Sequence, residues 1–431
     1  MPRVLVRRVR GVPRVHRVRR VLRVHEVLAI GLLAVAIATP YAQRQTTAIR
    51  FARLWDGERL INDAVVVIDG ERIVSVSSGK APPGATVIDL SRYTGLPGLI
   101  DAHTHITYYW DRSPGSRPRR QRRTPAETVF LAQDNAIRTL ETGVTTVRDL
   151  NAGNDMDFAM RDLTRAGAMI GPRIFASGPG LSARQGASPD PAAMRALVDD
   201  RIKAGADWIK VFGSRGGFDN VDGTQTVTFE EMRAIVERAH QLGKRVAIHS
   251  YGPTGVRDAV LAGADSVEHG ADVDDQTLSE MVKRGTVWVP TVDHNRYYID
   301  AKDEYGFPEG AERGLNDYIS RNLASVTRGV KAGVKMAMGS DAVYSMFGQN
   351  TRELTWFVKA GMTPRQALAT ATTIPAALLQ QEKSLGRVAA GFTADLVAVD
   401  GDPLASVDAV INGVRWVMKD GRVVVDRRTK N

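Results

Sequence analysis

Apolar and polar positions follow two textures along the chain. From residue 48 to about 96 the apolar runs are short and β-like. Ala64-Val65-Val66-Val67-Ile68 and Ile73-Val74-Ser75-Val76 flank an Asp69-Gly70 turn and read as two paired strands. The far end has the same texture. Residues 394–400 read as a strand, and residues 410–425 as two more, with turns at Asn412-Gly413 and Asp420-Gly421. β-rich ends around a different middle predict one small β-sandwich domain assembled from both termini, residues 43–96 and 386–431.

The middle, residues 97–385, alternates. Short apolar runs occur at 98–105, 145–150, 173–178, 208–213, 245–250, 266–270, 286–291 and 335–341. Stretches of helical period lie between most of them, at 125–142, 191–205, 229–242, 255–262, 274–284 and 316–332. Ala-Gly pairs at 204–205, 262–263 and 332–333 fit helix C-caps just ahead of a strand. Repeated strand-then-helix units imply parallel strands closed into an α/β, (β/α)8 TIM barrel.

In such a barrel chemistry sits at the C-terminal ends of the strands. His103 and His105 end the first run, and two residues apart on a strand share a face. Lys210 lies in the fourth run, His249 ends the fifth, His269 the sixth and Asp341 the eighth. The chain has eight histidines and no cysteine. His16 and His25 are near the start, so four of the remaining six fall at convergent strand ends, leaving mid-helix His240 and His294. Disulfides, thiolate metal sites and cysteine nucleophiles are excluded, and a metal must be held by nitrogen and oxygen, a donor set that suits zinc.

A pair of metals about 3.5–4 Å apart needs a bridging anion. The fourth run has no acid in its apolar strand, but Lys210 sits inside it. A charged lysine there is costly. A neutral one can take up carbon dioxide and become a bridging carbamate; the other readings are an ion-paired or snorkelling lysine. Asp341 offers a metal ligand and an acceptor for the proton of an attacking water, and it fits an N-cap as well. His103, His105, Lys210, His249, His269 and Asp341 thus read as the ligands of a two-metal hydrolytic site.

Charge changes the picture little. The net charge is +10, but residues 1–42 hold nine arginines, no lysine and one acid, Glu26. That segment carries +8 and leaves only about +2 for the remainder, which argues against nucleic-acid binding. The arginines precede an apolar run, 27–38, and Pro40-Tyr41-Ala42, which has the form of an export leader with a small-residue cleavage site. An amphipathic membrane-surface arm is the other reading. The run is short of the roughly 20 residues a spanning helix needs. The expectation is an exported protein, periplasmic or secreted, without stable membrane insertion once mature.

One set of motifs covers nearly everything after the leader. It comprises Pro97-Gly98-Leu99-Ile100-Asp101-Ala102-His103-Thr104-His105, Gly143-Val144-Thr145-Thr146-Val147-Arg148-Asp149, Glu268-His269-Gly270, Gly339-Ser340-Asp341 and residues 386–397. The set resembles the amidohydrolase superfamily of metal-dependent hydrolases. Within it the chain is similar to the imidazolonepropionase-like and prolidase-like branch, and to that branch's bacterial ochratoxin-hydrolysing members. The resemblance implies two zinc ions bridged by N6-carboxylated Lys210, one held by His103 and His105 and the other by His249 and His269. Asp341 would bind the first metal and act as acid and base. The implied reaction, carboxypeptidase-like, cleaves the amide of an N-acyl amino acid or dipeptide with a free carboxylate, including ochratoxin A to ochratoxin alpha and phenylalanine. Homo-oligomers are common in the branch.

The family also suggests Tyr251 as a substrate-contacting catalytic residue, with a packing tyrosine as the other reading. Related enzymes often carry a substrate histidine after the third strand, where this chain has none. Arg184, Arg215 and His294, the last at the barrel mouth, are the candidates for substrate binding. Loop 108–124, aromatic and then basic, follows the first strand and reads either as a lid or as a solvated loop. Rival readings are a hydrolase of cyclic amides or of esters on the same fold, and a non-catalytic metal-binding barrel.

Overall fold

The computed structural model describes residues 46–118, 122–183, 188–216 and 223–428. Residues 1–42, read above as an export leader, and Arg119, Arg120 and Arg184 lie outside the described residues. The strands in chain order are β1 (Thr47–Trp55), β2 (Leu60–Asp69), β3 (Arg72–Ser78), β4 (Thr86–Pro97), β5 (Leu99–Thr104), β6 (Val144–Asp149), β7 (Arg173–Ala176), β8 (Trp208–Phe212), β9 (Arg245–His249), β10 (Ser266–Glu268), β11 (Val287–Val289), β12 (Leu396–Val399), β13 (Val414–Lys419) and β14 (Arg422–Asp426).

Both ends of the chain meet in one seven-stranded sheet, ordered β14-β13-β12-β4-β1-β2-β3. β1 runs parallel to β4, and the other neighbours are antiparallel. The expected hairpin forms as β2 and β3 around Gly70, whose φ of 57° suits glycine. Alternation sorts the faces. Ile49, Phe51, Val66 and Ile68 from the first strands share a core with Leu396, Ala398, Trp416 and Met418 from the last. The two ends therefore build one apolar interior. Val410 and Ile411 differ from expectation: they belong to a helical turn, Asp408–Ile411, because Asn412 donates back to Asp408 at 2.6 Å and closes it.

The middle contains two parallel sheets, β5-β6-β7 and β8-β9-β10-β11. The run 335–341 is not an assigned strand, yet it bonds on both sides. Ala337 N donates to Trp288 O at 3.0 Å, Ala102 N to Met338 O at 2.8 Å, and Asp341 N to His103 O at 2.7 Å. It thus joins β11 to β5. On the other flank, Leu181 N donates to Lys210 O at 2.8 Å and Phe212 N to Leu181 O at 2.8 Å, joining the segment after β7 to β8. One apolar cluster takes Ile100 and Ala102 from β5, Trp208 from β8, Ala247 from β9, Val287 and Val289 from β11, and Ala337. These strands face a shared interior.

Helices occupy the intervals that the period predicted, including Pro191–Ala204, Phe229–Gln241, Pro253–Ala262, Asp275–Arg284 and Ala311–Ala332. The expected helix 125–142 is divided at Ala132 into Pro125–Leu131 and Gln133–Glu141, and only the second buries residues. The helix Met156–Arg165 was not legible: it starts from Asn154 and Asp155, both left-handed, instead of from a side-chain cap. No helix among the described residues is long and apolar enough to cross a membrane.

The terminal sheet packs tightly on the parallel strands. Gly98 approaches so closely that a Cβ would collide with the Thr145 hydroxyl and Asp395. Arg173 of β7 donates to Asp395 at 2.8 Å and to Thr146 at 2.8 Å, and also pairs with Asp420 in the β13–β14 turn. Asp395 is only 5% exposed. Arg173→Met should therefore destabilise the protein by roughly 2–4 kcal/mol, by leaving a buried carboxylate short of its cation. Chemical denaturation measures this, and Asp395→Asn in the same chain should recover part of the loss; simple additivity would place the cost elsewhere.

Candidate metal centre

Six separate segments deliver side chains to one cavity of about 290 Å³. β5 and the residue after it bring His103 and His105, β8 brings Lys210, and β9 ends in His249. His269 follows β10, His294 lies on the helix Val292–Asp300 after β11, and Asp341 ends the eighth run. Thr104 points away from the cavity, toward Asp149 at 3.4 Å, as the two-residue period requires. His269, Thr291 and Asp341 hold left-handed backbones, with φ of 67°, 49° and 52°. Such conformations cost of order 1–3 kcal/mol each and persist where the surroundings enforce them. Here the Trp288 indole donates to the His269 carbonyl, and His103 O accepts from Asp341 N.

Asp341 is the hub. Oδ1 lies 2.9 Å from His105 Nε2 and 3.5 Å from His103 Nε2. Oδ2 lies 3.2 Å from His294 Nε2 and 3.9 Å from His269 Nδ1. Candidate ligand atoms of His103, His269 and Asp341 all fall within 4.8 Å of one another. His249 and His269 are in edge contact, with centroids 4.4 Å apart. Tyr251 stacks on His269 at 4.7 Å, and Tyr108 on His105 at 4.8 Å.

The donor set fits a cation. Lys210 Nζ and His249 Nε2 are buried with no hydrogen-bond partner among the described residues, and both residues line the cavity. Buried polar atoms are almost always paired, so this arrangement is incomplete without a further group. Burial pushes His103 down to about 4 and His249 and His269 well below their ordinary value, which keeps their lone pairs free. Burial alone would raise Asp341, but the surrounding histidines hold it well below the usual carboxylate range. Burial draws Lys210 down to about 8, against the pull of Glu268 and Asp341.

The neighbouring contacts fix orientation. Glu268, fully buried, accepts from His103 Nδ1 at 2.8 Å, which leaves Nε2 to face the cavity. Its other oxygen accepts from Arg148 at 2.9 Å. His269 Nδ1 lies 2.6 Å from Thr291 Oγ1. Sequence reasoning passed over Glu268 and Arg148, although both stand inside the quoted motifs; a strand-end acid beside a histidine was the available signal. Arg215 does not line this cavity but a neighbouring one, beyond Phe212. Of the loop after β5, Tyr108 reaches the cavity, while Arg123 pairs with Asp111 and Arg117 donates to Asp303 O and Glu304 O.

The lysine gives a pH prediction for the metal-free protein. Lys210 titrates near 8 when folded and near 10.5 when unfolded, so between these values the unfolded chain holds a proton that the folded one lacks. Stability should rise with pH through that window. Lys210→Met should abolish this rise and be more stable than the parent at pH 7, as read from denaturation midpoints of both proteins from pH 7 to 10.5. Parallel curves would mean that Lys210 is not buried as an amine.

Comparison with known proteins places this geometry. The Amidohydrolase family model matches residues 94–424. Ochratoxinase of Aspergillus niger is 27% identical over 398 residues, covering 82% of this chain and 80% of its own. Imidazolonepropionase of Streptomyces avermitilis is 27% identical over 383 residues, covering 79% and 81%. The solved structure of a Xaa-Pro dipeptidase with bound methionine in the active site has a TM-score of 0.79 and 30% identity, over 88% of this chain and 99% of that one. These likenesses imply a TIM-barrel-like α/β fold. With its strand-end histidines, lysine and aspartate in one buried cavity and most of its length inside the family match, the chain belongs to the amidohydrolase family, and it is a hydrolase acting on carbon–nitrogen bonds.

Proposed function

We propose that this hydrolase cleaves the amide of N-acyl amino acids or dipeptides that carry a free carboxylate, ochratoxin A among them, releasing ochratoxin alpha and phenylalanine. The observation that carries the reading is the convergence of His103, His105, Lys210, His249, His269 and Asp341 on one cavity. The similarity to an ochratoxinase and to a Xaa-Pro dipeptidase with bound methionine supports the substrate class. We read residues 97–385 as a closed eightfold barrel, supported by the backbone bonds that join its two sheets on both flanks. We also read residues 43–96 and 386–431 as one β-sandwich domain, supported by the core that β1 and β2 share with β12 and β13.

His103, His105 and Asp341, His249 and His269, and an N6-carboxylated Lys210 would hold two zinc ions, and these would supply Lewis acidity for the hydrolysis. The residues of the chain do the rest. Asp341, kept anionic by the histidines around it, accepts the proton of the attacking water and returns it to the departing nitrogen as the C–N bond breaks. Water thus adds hydroxyl to the acyl carbon and hydrogen to the amine. Tyr251 lines the cavity, and in this reading its hydroxyl donates to the substrate carbonyl oxygen. His294 and the aromatic wall of Tyr108, Tyr298 and Tyr344 orient the substrate. The protein acts as a homo-oligomer, exported through the leader 1–42, and takes a small-molecule amide rather than a nucleic acid or a membrane.

A second reading, opening of a cyclic amide, is favoured by the similarity to imidazolonepropionase. A panel of N-acyl-phenylalanines including ochratoxin A, X-Pro dipeptides and dihydropyrimidines, with products identified by mass, separates the two. The expected outcome is release of phenylalanine, lost on chelation and reduced at least 10³-fold in Asp341→Asn, in line with the loss of a general base plus a metal ligand. Turnover of cyclic amides alone would replace the first reading by the second.

A further inference from the structure

Glu353 is fully buried and does not line the cavity, yet both of its carboxylate oxygens are engaged. Oε1 accepts from Val292 N at 2.9 Å and Oε2 from Asp293 N at 2.8 Å. These are the first two residues of the helix Val292–Asp300, which carries His294. The residue at the N-cap position is Thr291, a type that ordinarily caps its own helix through its side-chain oxygen. Here it makes no such cap. Its backbone is left-handed, and its hydroxyl oxygen lies 2.6 Å from His269 Nδ1. The helix has given up its natural cap to the metal centre, and a carboxylate from elsewhere in the chain replaces it.

From this exchange we infer that Glu353 is a positioning residue for the metal centre, holding the helix start so that the Thr291 hydroxyl stays on His269 and His294 stays on Asp341. The neighbours of Glu353 reinforce the clamp. Trp356 Nε1 donates to Asp293 Oδ1 at 2.9 Å, and Arg352 Nε lies 3.1 Å from Asp293 Oδ2. With Glu353 in place, the two N–H groups at the buried helix start, which have no partner inside the helix, are satisfied. Thr291 is then free to accept the His269 Nδ1 proton, leaving Nε2 as the ligand atom. Without the carboxylate, those N–H groups compete for the Thr291 hydroxyl, and His269 loses the contact that fixes its tautomer and ring. His294 directly follows Asp293 and lies 3.2 Å from Asp341 Oδ2, so a shifted helix start reaches the hub as well.

The inference rests on the metal-centre reading, and its test reads metal and tautomer separately from hydrolysis. Glu353→Gln offers one acceptor where two are needed. Zinc affinity of the metal-free protein, measured by chelator competition, should weaken 10- to 100-fold, the range typical of contacts that orient metal ligands. Histidine ¹⁵N spectra of the metal-free protein should show the His269 Nδ1–H form giving way to a mixture. Thr291→Val, which keeps the carboxylate cap but removes the acceptor, should weaken zinc to a similar degree while remaining folded. The double variant should be little worse than either single one, because both act through one contact. If Glu353→Gln lowers only the denaturation midpoint, with zinc affinity and the His269 tautomer unchanged, Glu353 is a helix cap and the inference is wrong. If Glu353→Gln does not fold, Thr291→Val decides, and unchanged zinc affinity in that variant overturns the inference. Weakened zinc binding in a protein that hydrolyses no amide on the panel would retain the inference and remove the substrate assignment.

Discussion

Glu268 is one carboxylate with three buried claimants, Arg148, His103 and the Ser266 hydroxyl, and the site depends on the balance among them. Arg148 and Glu268 are both fully buried and form an ion pair at 2.9 Å. Arg148 also donates to Ala102 O at 2.6 Å and to Ser266 at 2.9 Å, and lies over the Trp208 ring at 4.5 Å. It therefore touches β5, β8 and β10 from its own position on β6. Burial would raise Glu268, but Arg148 and then His103 hold it down to about 2, so it is an anion at neutral pH. Removing one partner of such a pair costs about 3–5 kcal/mol because the other charge is left stranded. The pair below the cavity floor thus joins four strands and, through Glu268, fixes which nitrogen His103 presents.

The same device recurs around the cavity. Asp101, fully buried, accepts from Ser340 N at 2.9 Å, Ser340 Oγ at 2.6 Å and Asn350 at 3.0 Å, tying the strand that bears His103 to the segment that bears Asp341. Asp149 accepts from the backbone of Ile106, the residue after His105. Gly339 leaves no room for a side chain: a Cβ would collide with Val289 and His103. Buried charges are retained here although well-packed apolar residues are often as stable. Their effect is directional, since each sets one ligand's backbone or ring nitrogen. A dry site with fixed donors needs little reorganisation when charge develops in the reaction.

The residues that line the cavity were legible as a group because four histidines, a lysine inside an apolar strand and Gly339-Ser340-Asp341 stand at or near the ends of apolar runs, and the ends of parallel strands lie side by side. The terminal sheet was legible because the two ends share one texture. Groups that hold the ligands were less visible. Thr291 closes the seventh apolar run, and nothing local shows that its hydroxyl is directed at His269. Glu353 lies 12 residues after Asp341 and acts on residues some 60 earlier, a pairing that only the fold supplies. The helix Met156–Arg165 lacks a start signal because Asn154 and Asp155 supply the turn through left-handed backbones. Arg215, chosen for its charge, faces a different cavity, since charge says nothing about direction.

The proposed centre for two metals depends on a carboxylated Lys210. It is tested by the metal-to-protein ratio after the metal-free protein is reloaded with zinc in the presence of bicarbonate, for the parent and for Lys210→Met. The expected result is two zinc ions per chain for the parent, faster loading with bicarbonate than without, and at most one per chain for the variant. Equal ratios in the two proteins, or loading indifferent to bicarbonate, would contradict it.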